Sequence, residues 1–141
     1  MSREAIYSAL FARVSAAAGF TTASRLLQHW GDVAPAQQPA LFQTQKGEAV
    51  MQQTNRPPIW RYSVDLYIYA YSNNPSVSPA IQLNGLIDAI EVALSPAFPP
   101  ENQTLGGLVT YARINGQIQT DEGVLGQQAV AIIPIEIEAT A

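Results

Sequence analysis

His29 is the only histidine in the chain, so nucleophilic or acid–base chemistry built on an imidazole has to pass through it. Ser24 and Asp32 are its nearest hydroxyl and carboxylate partners in sequence. A nucleophile, its base and the group that orients the base must lie within hydrogen-bond reach of one another. In an extended segment, residues five apart point to opposite faces, so Ser24 and His29 diverge and an ordinary, partly exposed histidine is expected. A metal would need several converging oxygen or nitrogen ligands. Asp121-Glu122 is the only adjacent acidic pair and reads as a solvated turn. Asp88/Glu91 and Glu136/Glu138 have helix and strand spacings on outward faces, which suits solubility better than a paired acid and base. Leu105-Gly106-Gly107-Leu108 lacks the lysine of a phosphate loop and the third glycine of a dinucleotide fingerprint, and reads as a tight entry into a strand. Asn102-Gln103-Thr104 matches a glycosylation acceptor, but no secretion signal accompanies it. No catalytic residue, metal ligand or cofactor site is assigned.

The composition points the same way. The 141 residues fit one domain with one hydrophobic core. Only 13% of them are charged, against about 25% in typical domains, so Gln, Asn, Ser and Thr must cover much of the surface. Such a surface favours contacts with other proteins. The net charge is −4 and the seven Lys and Arg residues are scattered, which leaves no basic patch to neutralise a row of phosphates. The absence of cysteine excludes disulfides and thiolate chemistry. Arg3, Glu4 and Arg13 interrupt the N-terminal segment, so no signal peptide is expected there. No run approaches the roughly 20 apolar residues of a membrane span.

Periodicity supplies the elements. Ile6, Leu10 and Val14 at i, i+4 and i+8, with Ser2 as cap and Glu4 in the first turn, predict a helix over Ser2–Ala18, stopped by Gly19. Phe20–Trp30 is predicted as a strand. Gly31–Pro39 is a loop. Ala40–Gln45 and Glu48–Gln53 are predicted to form a hairpin about Lys46-Gly47, and Asn55–Pro58 a loop, because proline lacks the ladder donor.

Trp60–Ser72 is the clearest strand, with Trp60, Tyr62, Val64, Leu66, Ile68 and Ala70 on one face and Tyr67, Tyr69 and Tyr71 on the other. Ser78-Pro79 starts a helix over Pro79–Leu94, its stripe formed by Leu83, Leu86, Ile87, Ile90 and Leu94. After an irregular stretch over Ser95–Asn102, strands Leu108–Gln119 and Gly126–Ala139 are joined by a turn over Thr120–Gly123. Pro134 in the last strand favours an edge or a bulge. The order α-β-β-β-β-α-β-β implies an α+β fold: an antiparallel sheet with both helices packed on one face.

The tyrosine row has two readings: an aromatic contact stripe exposed on a sheet, or a face buried beneath a helix folded over it. With the loop Gln45–Pro58 and the turn Asp121–Gly123, it gives the candidate interface residues Lys46, Glu48, Arg56, Tyr67, Tyr69, Asp121 and Glu122.

Several segments, taken in order, resemble one family. They are Arg25 followed by Trp30-Gly31-Asp32-Val33, Gln38-Pro39-Ala40-Leu41-Phe42, Asp65-Leu66-Tyr67-Ile68-Tyr69-Ala70, Leu83-Asn84 with Leu86–Glu91, Thr104-Leu105-Gly106-Gly107, Ile114-Asn115-Gly116 and Ile132-Ile133-Pro134-Ile135. Together they resemble the tail terminator, or tail completion, proteins of long-tailed bacteriophages. The resemblance implies a hexameric ring of identical subunits that caps the tail tube, stops its polymerisation and offers a docking surface to the head. Its partners would be further copies of itself, the major tail tube protein and a head–tail connector protein. It implies assembly in the host cytoplasm and a place at the neck end of the virion tail, with no membrane and no sequence-specific nucleic acid, while DNA passes through the ring. An acidic lumen including Glu48 or Asp121 would let DNA slide by like-charge repulsion. Alternatives from the same sequence are a head-closure or connector ring protein, or a small ligand-binding α+β domain with a pocket.

Overall fold

The structure, a computed structural model, describes residues 2–96, 98, 101–123 and 126–140. The chain begins with helix α1 (Arg3–Ser15), whose N-cap Ser2 accepts a hydrogen bond from the Ala5 N–H, as its sequence position predicts. A short strand β1 (Thr22–Ser24), two single turns of 3₁₀ helix (Trp30–Asp32 and Pro35–Gln37), and long strands β2 (Ala40–Gln53) and β3 (Arg56–Tyr71) follow. Helix α2 (Ala80–Ala93) precedes β4 (Tyr111–Ile114), β5 (Gln119–Gly123) and β6 (Gly126–Thr140). The six strands form one sheet in the order β1-β2-β3-β6-β4, with β5 beside β4 on the same edge of β6. All pairings are antiparallel except β1 with β2. The fold is α+β.

Both helices lie on one face. Ile6, Leu10 and Val14 of α1 and Leu83, Leu86 and Ile90 of α2 share a cluster with Val64, Leu66 and Ile68 of β3 and Ile133, Ile135 and Ile137 of β6. Alternation dictates this arrangement, because every second residue of β3 and β6 is apolar and the period of a strand delivers those residues to a single side. Tyr62 is fully buried on that face, against Tyr7 in an edge-on ring contact at 5.7 Å.

Several sequence expectations are corrected. Lys46-Gly47 is not a hairpin tip: β2 runs straight through it with a bulge between Gln45 and Gly47, and the chain turns at Thr54-Asn55 instead. Asn55 sits at φ 59, a left-handed conformation that asparagine tolerates better than most residues. Pro57 and Pro58 do not end β3: they fall at the register shift between the Met51–Ile59 and Gln53–Arg56 pairs, before the described ladder with β6 begins at Ile59, and a bulge is where a strand tolerates proline. Only Thr22–Ser24 of the predicted Phe20–Trp30 strand pairs, because the Leu26 N–H turns onto the Ser24 hydroxyl.

The predicted strand Leu108–Gln119 divides into β4 and β5, both against β6. Pro134 lies in the gap between them, a local edge of β6 such as its residue type favours. Its carbonyl accepts from Asn115, so its missing donor faces a place where no ladder bond is required. Thr120–Gly123, expected as a turn, is paired strand in β5, and the residues that follow it, Val124 and Leu125, lie outside the described residues. So do Ala97, Pro99 and Pro100 of the irregular stretch.

The position of the turn is testable. Asn55→Val is expected to lower stability by about 1–2 kcal/mol, the cost of a left-handed β-branched residue, while Asn55→Gly leaves it nearly unchanged. Urea midpoints at constant slope read the difference.

Candidate functional site

His29 does not assemble a catalytic group. Its Nδ1 accepts the Gly31 N–H at 3.0 Å and its ring lies against Trp30, so the nitrogen that an aspartate would orient already serves a backbone turn. The Ser24 hydroxyl is likewise taken up by the Leu26 N–H. Among the described residues no three His, Asp or Glu side chains come together as metal ligands. No helix among them is long and apolar enough to cross a membrane. A groove of 680 Å³ between α1 and α2 is lined mainly by alanine methyls, with Arg13 at its side. It offers few groups able to orient a small polar ligand.

The other face of the sheet divides in two. Over its first half runs a strap, residues 25–39, fastened at three points. At one end the Arg25 guanidinium reaches the helix-covered side, where it pairs with Glu4 of α1 and donates to Gln45 at 3.2 Å. The hydrogen bonds from Arg25 and Ser8 hold the Glu4 carboxyl below the usual carboxylate range. In the middle the Tyr69 hydroxyl donates to the Gln28 carbonyl at 2.6 Å. At the other end the Gln38 and Gln128 side-chain amides exchange hydrogen bonds of 2.7 and 2.8 Å, and Gln128 also donates to the Ala70 carbonyl. Beneath the strap, Val33, Ala40, Phe42 and Tyr69 form a second buried cluster, with Trp30, Tyr67 and Val130 packed around it.

The tyrosine row is therefore covered in part, by a strap and not by a helix. Tyr69, expected as an interface residue, is 3% exposed and supports the strap, which corrects that assignment. Burial and the neighbouring Tyr67 push its phenol up to about 12. Tyr67 is half-buried.

The second half of this face is open and carries paired charges across neighbouring strands: Lys46 with Asp65 at 3.3 Å, Arg61 with Glu138 at 3.3 Å, and Arg113 with Glu136 at 3.5 Å. Tyr111 donates to Glu136 at 2.9 Å, and this contact and burial raise its pKa. Such exposed pairs contribute little stability individually, but they leave a surface without net charge. Lys46 is thus engaged by Asp65. Glu48 lies on the helix-covered face, gripped by Arg3 at 2.8 Å and accepting from the Tyr7 hydroxyl at 3.2 Å, with Arg3 stacked over Trp60. These partners neutralise Glu48, which is no free acidic group for a lumen.

Arg56 is exposed at the tip of the β2–β3 hairpin, and Asp121 and Glu122 are exposed on β5, where Glu122 accepts from Ser78 at 2.7 Å. The structure does not gather these residues with Lys46 and Glu48. Instead it places them at opposite edges of one sheet. Sequence reasoning missed Val50 and Met51, which are 44% and 50% exposed on the hairpin. The turn-forming Asn55 was the signal that would have moved the hairpin tip and left Ala49-Val50-Met51 on an outer strand.

The strand edges complete the geometry. β1 covers β2 only over Ala40–Phe42, and among the described residues nothing pairs with the outer side of β2 beyond Phe42. On the opposite side of the sheet, the Ala112 N–H of β4 donates to the Gln103 carbonyl, which covers that edge. No described residue pairs with the outer side of β5.

Against known proteins, no family model matches this chain, and no curated protein matches it.

Tyr69→Phe removes the central fastening of the strap and is expected to cost about 0.5–1.5 kcal/mol. Because the folded state holds the phenolic proton more tightly than the unfolded chain, its contribution is complete below pH 10 and is lost as pH rises towards 12. Denaturation curves across that window should fall less steeply for the variant than for the parent.

Proposed function

We propose that this chain is a structural subunit of a phage or prophage tail, a tail terminator that caps the tail tube, stops its growth and presents a docking surface to the head. It acts by shape and surface, not by catalysis. The observation that carries this reading is the presence, at opposite ends of one small sheet, of two unlike unpaired strand edges with exposed side chains. A ring of identical subunits needs two different patches on each copy, and open edges that would otherwise invite aggregation are accounted for if assembly covers them.

Further support comes from the low charge of the surface, from exposed apolar side chains such as Val50, Met51, Ile81 and Val92, and from the resemblance of its ordered segments to tail terminator proteins, which also implies the hexameric ring number. Neutral patches of this kind suit protein contact. In this reading the partners are further copies of the chain, the tube protein and a head connector, and the uncovered face with its balanced ion pairs gives passing DNA no basic surface to hold it.

The experiment is to add the purified chain to tail-tube protein as it polymerises and measure tube lengths by electron microscopy. Shorter, narrowly distributed lengths that depend on the ratio of the two proteins are expected. Lengths unchanged over a wide range of ratios would rule out the terminator role.

A further inference from the structure

We infer that neighbouring copies join edge to edge, with the outer side of β2 in one copy pairing antiparallel with β5 of the next, so that the sheet continues from subunit to subunit. The inference deepens the ring reading above and rests on it for closure, since head-to-tail pairing of two unlike edges gives either a ring or an open filament according to the rotation between copies.

Four observations select these two strands. First, β2 and β5 present unpaired backbone among the described residues, whereas β4 is closed off by Gln103. Second, β2 is blunted only in its middle, by the bulge at Gln45/Gly47 and by Lys46. From Ala49 to Gln53 it has no charge and no proline, and it exposes Val50 and Met51, which is a strand suited to pairing.

Third, the directions agree. β2 runs antiparallel to β3, β3 to β6 and β6 to β5, so in a sheet repeated with the same orientation, β2 meets the next copy's β5 antiparallel, the more stable ladder. Fourth, the charges are compatible. β5 carries Asp121 and Glu122, the free part of β2 from Ala49 to Gln53 carries none, and the nearest charge beside it is Arg56, one strand in on β3 opposite Gln53. Pairing β2 with β2 of a second copy would instead leave β5 and its carboxylates open.

The register adds a consequence. β5 pairs with β6 at the level where β6 and β3 lie opposite Ala40–Phe42, which β1 already occupies on the other edge. The free part of β2 can therefore reach β5 only if successive copies are displaced along the strands. Closure of any sheet into a barrel imposes that kind of tilt and stagger.

The absence of cysteine makes the test direct. Met51 and Asp121 occupy the same face of the sheet, Met51 opposite Ile59 and Asp121 opposite Val130. Full-length Met51→Cys and Asp121→Cys chains are purified separately, concentrated alone and mixed, and treated with a bismaleimide spanning about 8 Å, the diagonal reach across a strand pair. A covalent dimer in the mixture and in neither variant alone is the expected result. As a second measurement, Asp121→Lys with Glu122→Lys should weaken self-association at least tenfold in sedimentation, and Arg56→Glu in the same chain should restore it.

A dimer formed by Met51→Cys alone, or no dimer at any concentration, overturns the inference. A chain that shortens tubes but gives no mixed dimer keeps its proposed function and loses this contact. One that gives the dimer but leaves tube lengths unchanged does the reverse.

Discussion

Where β3 and β6 run side by side, from Ile59 opposite Thr140 to Tyr71 opposite Gln128, the alternation of two strands is locked together, and every other element takes its place from that lock. Slipping the ladder by one residue would turn either Val64 and Leu66 of β3 or Ile133 and Ile135 of β6 out to solvent and bring Asp65 or Glu136 under the helices. The loss of apolar burial on that scale, at roughly 25 cal/mol per Å², together with the desolvation of the carboxylates, fixes the register. With it fixed, α1 and α2 have one side on which to pack, and the polar residues of both strands are committed to the other.

That commitment creates the second face and its division of labour. Its first half still holds enough apolar surface, in Phe42, Tyr69 and Val130, to require a cover, and the strap supplies one through contacts that are mostly polar. The reciprocal amide pair of Gln38 and Gln128 matters here because buried amides are costly unless each finds a partner. The other half has no cover and needs none, because its charged residues are paired across strands. The molecule thus separates a closed, rigid side from an open side whose strand edges and hairpin remain available.

Tail terminators, in the reading proposed here, would use that separation: a core that does not depend on neighbours, and a perimeter that does. Glu48 illustrates how a residue can move from one role to the other. In sequence it stands in an apparently free hairpin, while in the fold, still exposed, it is gripped at the start of α1 by Arg3 and Tyr7, where it ties the helix to the sheet.

By itself the sequence determined the α+β class, the two helices and their buried stripes, the β3 alternation and the Ser2 cap, because each depends on periodicity or on contacts within one turn. Only the tertiary structure decided where the hairpin turns, how far the Phe20–Trp30 segment pairs, why Pro57, Pro58 and Pro134 are tolerated in strands, and that Tyr69 lies under a strap. Each of these depends on what stands on the far side of a backbone group: a register shift in β2 beside Pro57 and Pro58, a gap between β4 and β5 beside Pro134, a strap tied down by Arg25 and Gln38. Those neighbours are distant in sequence, and local spacing carries no record of them. The candidate contact residues divide by the same rule. Arg56 and Asp121 kept the exposure their composition suggested, while Lys46, Glu48, Tyr69 and Glu122 acquired partners that only folding brings within reach.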